Sequence, residues 1–244
     1  YTGGTTGVSK GVMLTQSSIM HNIAQALAMV NSGEESIENH TVVSPLPLYH
    51  IYAFMLSLGL VPAVRGHSLL IPDPRNISAF VGAIKNVKFE IFCGLNSLFV
   101  ALMQDKAFQK LDFSPLKRTL SGGMALMDSV ANDWENLTGC VVSEGYGMTE
   151  SSPVISMNPS GMEKIGSAGI PIPGTEIKIV DEKGIEQEVG GVGELCVRGA
   201  QVMRGYWQRD AQTAEVIVDG WLHTGDIVSM DSDGYIKIVD RRKD

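Results

Sequence analysis

The chain has 244 residues, 44% of them hydrophobic and 19% charged; this excludes a disordered protein and allows one large domain or two smaller ones. A formal charge of -8 argues against general affinity for nucleic acid or for anionic membrane surfaces. The longest apolar stretch, 51–64, is broken by Gly59 and Pro62 and falls short of the ~20 residues that cross a bilayer.

The chain opens on Tyr1-Thr-Gly-Gly-Thr-Thr-Gly-Val-Ser-Lys-Gly11, which sets four glycines and three threonines around one lysine. Such a segment offers backbone N–H groups, hydroxyls and a cation to an anion such as a polyphosphate, and almost nothing to a core. Its spacing is not that of the nucleoside triphosphatase P-loop, because Lys10 follows Ser9 and precedes Gly11. On composition alone, a surface turn explains it equally well.

Strand-like runs then appear at Thr41–Ser44, His67–Ile71, Phe89–Cys93, Lys117–Ser121 and Cys140–Ser143. Between them Ile19, Ile23, Ala26, Leu27 and Val30 recur at helical spacing, as do Ile77, Phe80, Val81 and Ile84, and Val130, Trp134 and Leu137. For the last of these helices Asp128 suits the N-cap and Gly139 the residue past the end. The alternation predicts an α/β fold with a mostly parallel sheet layered with helices.

The pattern changes near Asn158-Pro-Ser-Gly161. Short strands are expected at Glu176–Asp181, Glu194–Val197, Ile227–Met230 and Tyr235–Val239, with Asp233-Gly234 as a hairpin turn. They predict a smaller antiparallel, β-barrel-like subdomain. The expected division is therefore residues 1–160, residues 161–240, and a short end at 241–244. Cys93, Cys140 and Cys196 lack C-x-x-C spacing and read as reduced core residues. The histidines form no set with zinc-ligand spacing.

The opening segment resembles the signature loop of the adenylate-forming enzymes, the group of acyl-CoA synthetases, luciferases and peptide-synthetase adenylation domains. Further motifs of that group follow in order: Pro47-Leu-Tyr-His50, Glu144-Gly-Tyr-Gly-Met-Thr-Glu150, Gly193-Glu-Leu195, Trp221-Leu-His-Thr-Gly-Asp226 and Asp240-Arg-Arg-Lys-Asp244. The run as a whole looks most like the bacterial long-chain fatty-acid–CoA ligases. Ser9 departs from the group, most of whose members carry proline there, and is expected to loosen the loop without removing a phosphate contact.

The resemblance implies ATP-dependent formation of a fatty acyl-adenylate and then of an acyl-CoA thioester, with ATP and coenzyme A as co-substrates and Mg2+ as the metal. Thr2, Gly3, Gly4, Thr5, Thr6 and Gly7 would hold the phosphates, with Thr2 also helping to seat the metal; Lys10 would contact phosphate or, with equal weight, order the loop through a salt bridge. Glu144, Gly145, Tyr146 and Gly147 would lie on the loop after a strand, with Tyr146 facing adenine. Thr149 would touch the α-phosphate and Glu150 would ligate Mg2+, since hard divalent cations take oxygen ligands. Gly123 would lie on the adenine side and near the acyl group. Asp226 and Arg241 would take the ribose, while Lys243 matches the hinge to a C-terminal lid. His50 would line the passage to the acyl pocket, although spacing alone favours its beginning the following helix.

By this resemblance residues 1–160 bind nucleotide and acyl group. The segment looks like a central fragment whose catalytic lysine lies beyond Asp244, so it is expected to be nearly inactive alone. Amino-acid adenylation is a second reading, disfavoured because residues 46–60 contain no carboxylate for a substrate ammonium group. A non-catalytic nucleotide-binding relative is a third. A cytoplasmic location is expected; peripheral attachment to the inner face of the cell membrane and a homodimer are compatible with the sequence.

Overall fold

A computed structural model describes residues 1–2, 9–31 and 37–241. In chain order the first elements are α1 (Gln16–Val30), β1 (Thr41–Ser44), α2 (Ile51–Phe54), a π-helical stretch Met55–Leu60, α3 (Val61–Ala63), β2 (His67–Leu70) and α4 (Ile77–Ile84). Next come β3 (Ile91–Gly94), α5 (Asn96–Met103), β4 (Arg118–Gly122), α6 (Asp128–Thr138), β5 (Val142–Gly147) and β6 (Val154–Met157). The chain continues through β7 (Ile170–Pro171), β8 (Glu176–Val180), β9 (Val192–Arg198), α7 (Asp210–Val216), β10 (Ile217–Val218), β11 (Trp221–Met230) and β12 (Ile236–Arg241). Among the described residues no helix is long and apolar enough to cross a membrane.

The chain forms two compact units that interleave along the sequence. One consists of residues 30–145 and 158–166; the other consists of 1–29, 146–157 and 167–244.

In the first unit the strands run in the order β2-β1-β3-β4-β5, each pair parallel. Parallel strands covered on both faces read as continuous apolar runs, and β3 is buried at every position. Against the sheet lie α4, α5 and α6, whose Phe80, Phe99 and Trp134 join Phe92 of β3 in one core. The Trp134 ring centroid lies 4.6 Å from that of Phe99, and its indole N–H donates to Thr119 Oγ at 2.9 Å. Burial of each such ring stabilises by ~1.5–3 kcal/mol, and the hydrogen bond removes the cost of the buried indole N–H.

Helix α6 ends as its sequence predicts, with Gly139 in the left-handed region at φ 71°. Its start differs. Asp128 is the first helical residue, and the extended residue before it is Met127, whose side chain makes no cap. An acid in the first turn is favoured by the helix dipole as well as by capping, so composition placed the boundary one residue late.

In the second unit five strands form an antiparallel sheet in the order β10-β11-β9-β8, with β12 also paired to β11. Its core is built from alternate residues, among them Ile179, Leu195, Val197, Val228 and Ile236, with Ile155 and Tyr146. A turn with Gly234 at φ 85° joins β11 to β12, and Asp231 Oδ1 accepts from the backbone of Asp233 and Tyr235. Strands β6, β7 and β10 and helices α5 and α7 are additions to the sequence reading. The strand pairs β6–β7 and β10–β11 match only two residues each, too few for a period-2 signal.

Candidate active site

In the antiparallel unit the ends of the signature loop are fastened to each other. Thr2 N–H donates to Lys10 O at 2.9 Å, and Lys10 N–H donates to Thr2 O at 3.1 Å. Gly3, Gly4, Thr5, Thr6 and Gly7, between these ends, lie outside the described residues, as does Lys243. The chain leaving the loop pairs with residues 204–207. Met13 N–H donates to Gly205 O at 2.9 Å, Arg204 N–H to Met13 O at 3.0 Å and Trp207 N–H to Gly11 O at 2.7 Å.

Strand β5 runs through Glu144, Gly145, Tyr146 and Gly147, so these four residues belong to the strand itself and not to the loop expected after it. The two glycines hid this by weakening the apolar pattern. Gly147 has a packing reason, because a β-carbon there would lie 1.9 Å from the carbonyl oxygen of Pro153. After Met148 the chain turns through a short 3-10 segment, Thr149–Ser151, which carries Thr149 and Glu150.

Glu150 is only 7% exposed, and two bonds hold it. Its backbone oxygen accepts from Met203 N–H at 2.7 Å, and its Oε1 accepts from the Tyr206 hydroxyl at 2.8 Å. The Tyr206 phenol is pushed well above its ordinary range, first by burial and then by the Glu150 charge and hydrogen bond. Lys10 Nζ lies 4.5 Å from the centroid of the Tyr206 ring.

Asp226 is 3% exposed, and its Oδ2 accepts from the Tyr146 hydroxyl at 2.5 Å. A chain of contacts along β11 and β9 presents it. Thr224 Oγ donates to Leu195 O at 2.9 Å and accepts from Asp226 N–H at 3.1 Å. Glu194 Oε1 accepts from Gly225 N–H at 3.0 Å, and its Oε2 lies 3.2 Å from His223 Nδ1. The β9–β11 register shifts between His223 and Ile227, with Gly225 at φ 77°, so a bulge redirects the strand at Asp226. Arg241 pairs with Asp226 across β12 and β11.

Cys196 Sγ lies 3.4 Å from the same His223 nitrogen, and burial pushes the thiol up to about 11. All three cysteines are buried and free. Among the described residues no three histidine, cysteine or acidic side chains form a cation cage. A lone carboxylate such as Glu150 suits Mg2+ that arrives with a nucleotide, since phosphates and water supply its other ligands.

In the α/β unit His50 is exposed and caps α2, its Nδ1 accepting from Tyr52 N–H at 3.3 Å. Gly123 has φ 83°, and a β-carbon there would meet nothing within 4 Å, leaving its backbone open to approach. Glu144 Oε1 accepts from Gly166 N–H at 3.2 Å and Oε2 from Leu126 N–H at 3.3 Å. Its side chain therefore ties two loops. Burial raises its carboxyl above the usual range, and the two N–H donors oppose that rise.

Tyr206, Glu194 and His223 escaped the sequence reading as site residues. Tyr206 sits in Arg204-Gly-Tyr-Trp207, where no spacing ties it to Glu150, 56 residues earlier.

The fold and the match of its residues to a family model place the chain among the AMP-binding enzymes. Residues 1–207 match the family described as AMP-binding enzyme, and the chain belongs to it. It is 47% identical over its full length to the long-chain-fatty-acid–CoA ligase of Salmonella typhimurium, spanning 44% of that protein. It is 37% identical to the enzyme of that name from Bacillus subtilis, spanning 43% of it. The chain thus spans less than half the length of these curated relatives. Among solved structures, an anthranilate–CoA ligase in complex with anthranoyl-AMP matches 99% of this chain and 46% of its own, with a TM-score of 0.90 and 26% identity. The O-succinylbenzoate–CoA synthetase of Bacillus subtilis, in complex with AMP, matches 100% of this chain and 49% of its own, with a TM-score of 0.84 and 28% identity. Both are adenylate-forming enzymes.

Proposed function

We propose that this chain is the ATP- and acyl-binding portion of a long-chain fatty-acid–CoA ligase. The full enzyme would join a fatty acid to AMP with release of pyrophosphate, then pass the acyl group to coenzyme A with release of AMP. The observation that carries the proposal is the 47% identity, along the entire chain, to a ligase of that name.

The first step brings a carboxylate oxygen onto the α-phosphorus while the bond to the pyrophosphate oxygen breaks. Two anions must approach, so the site has to supply positive charge, dipoles and alignment. Thr149 is assigned to the α-phosphate, and Lys10 with the signature loop to the outer phosphates. Asp226 and Arg241 are assigned to the ribose, Tyr146 and Gly123 to adenine, and His50 to the acyl path. Mg2+, held by Glu150 and Thr2, would supply Lewis-acid charge to the phosphates. Glu144 acts through the two loops that it ties together.

The longer relatives support placing the rest of the machinery, including the lid and the catalytic lysine, outside these 244 residues. The segment alone is expected to bind ATP without appreciable ligation. The cytoplasm, where ATP and coenzyme A are abundant, belongs to the same reading.

Calorimetric titration of the chain with MgATP tests the nucleotide site, and no detectable binding would overturn the proposal. In a full-length ligase carrying this segment, palmitate or decanoate should drive ATP–pyrophosphate exchange and amino acids should not. Exchange driven by an amino acid would identify an amino-acid-activating enzyme instead. ATP binding without exchange for any acid would identify a non-catalytic relative.

A further inference from the structure

Residues 203–207 touch both charged elements of the nucleotide site. Their backbone pairs with the chain leaving the signature loop, through Met13, Gly205, Arg204, Trp207 and Gly11. Met203 N–H also holds the Glu150 carbonyl at 2.7 Å. From the middle of this segment Tyr206 points its hydroxyl at Glu150 Oε1, 2.8 Å away, while Lys10 Nζ stands 4.5 Å from its ring centroid. The ring is buried, 4% exposed, and so is Glu150. Among the described residues, Tyr206 is the only hydrogen-bond partner recorded for the Glu150 carboxylate.

A carboxylate on a short 3-10 turn can rotate about its side-chain bonds. A carboxylate with one oxygen fixed by a buried phenol cannot rotate freely, and its other oxygen then has a set direction. The cation–π contact gives the same phenol a second attachment, to the lysine at the loop's base. Pre-alignment of this kind lowers the ordering cost that ligand binding must otherwise meet.

We infer that Tyr206 is a positioning residue that holds the Glu150 carboxylate for the metal of MgATP and links it to Lys10. The inference rests on the nucleotide-binding reading above and adds to it a residue that acts through its hydrogen bond to Glu150. Tyrosine is required for both links at once. Phenylalanine would keep the ring under Lys10 and lose the bond to Glu150.

The test compares the wild-type chain with Tyr206→Phe by calorimetry, titrating ATP once with excess Mg2+ and once with EDTA. The expected result is an affinity for MgATP lowered about tenfold, the equivalent of one hydrogen bond to a charged group, with metal-free ATP affinity unchanged. Equal affinity of the two proteins for MgATP would overturn the inference. An equal loss in both arms would also overturn it, because that is the pattern of general structural damage. No ATP binding by the wild type would instead sink the functional reading itself.

Should Tyr206→Phe fail to fold, a measurement on the wild type decides the matter. Adding Mg2+ to ATP-saturated chain in EDTA should perturb the near-ultraviolet tyrosine spectrum, as the charge on the phenol's acceptor is drawn to the metal. ATP is already bound at that point, so a tyrosine stacked on adenine contributes no change. A flat difference spectrum would overturn the assignment.

Discussion

The hydroxyl of Tyr146 donates to Asp226 Oδ2 at 2.5 Å, joining the end of β5 to the bulge of β11. One short bond thereby fixes the ring proposed for adenine relative to the carboxylate proposed for ribose. Tyr146→Phe removes it and deprives a buried carboxylate of a donor, at a cost of about 1.5–3 kcal/mol. The expected outcome is a lower denaturation midpoint in urea, accompanied by weaker binding of AMP as well as of ATP. A variant with unchanged stability and unchanged AMP affinity would show that the bond does not order the site.

The glycines of the candidate site divide into two kinds. A β-carbon at Gly147 would lie 1.9 Å from the Pro153 carbonyl oxygen, a backbone atom that cannot swing away. Gly147→Ala is therefore expected to destabilise the chain by about 3 kcal/mol or more. At Gly123 a β-carbon meets nothing within 4 Å, and only φ 83° opposes alanine, a strain of about 1–2 kcal/mol. Thermal unfolding should place Gly147→Ala well below Gly123→Ala. The reverse order would contradict the reading of Gly147 as a packing residue.

How far the sequence carried these conclusions follows from which interactions are local. The parallel strands were legible where burial on both faces writes an apolar run, as in β3, whose four residues are all buried. Gly139 was legible because a helix end needs the left-handed region that it occupies at φ 71°. The strand character of Glu144-Gly-Tyr-Gly147 was not, since glycine lowers strand propensity and pairing with a neighbouring strand overrides it. Nor was the Tyr206–Glu150 bond, which spans 56 residues and leaves no periodicity behind. The Glu194–Gly225 contact is hidden for the same reason: β9 and β11 are neighbours in the sheet but distant in sequence.

Glu144 gives the candidate site a pH dependence whose sign can be worked out. Burial is the larger influence and raises its carboxyl; the N–H groups of Leu126 and Gly166 pull the other way, and the nearby charge of Asp128 adds to the rise. A carboxyl raised on folding is held more tightly as the acid in the native state than in the unfolded chain. The stability it contributes is then present below the unfolded pKa and is lost as pH rises through the folded one. Glu144→Gln keeps an oxygen acceptor for one of the two N–H donors and carries no ionisable group. Midpoints of urea denaturation for the variant and the wild type, measured between about pH 4 and about pH 7, should therefore shift in the variant's favour as pH increases. The other ionisable groups are common to both proteins and largely cancel in the difference. A difference that stays constant with pH would mean that the two backbone donors offset burial at this carboxylate, and one that moves toward the wild type would mean that they outweigh it.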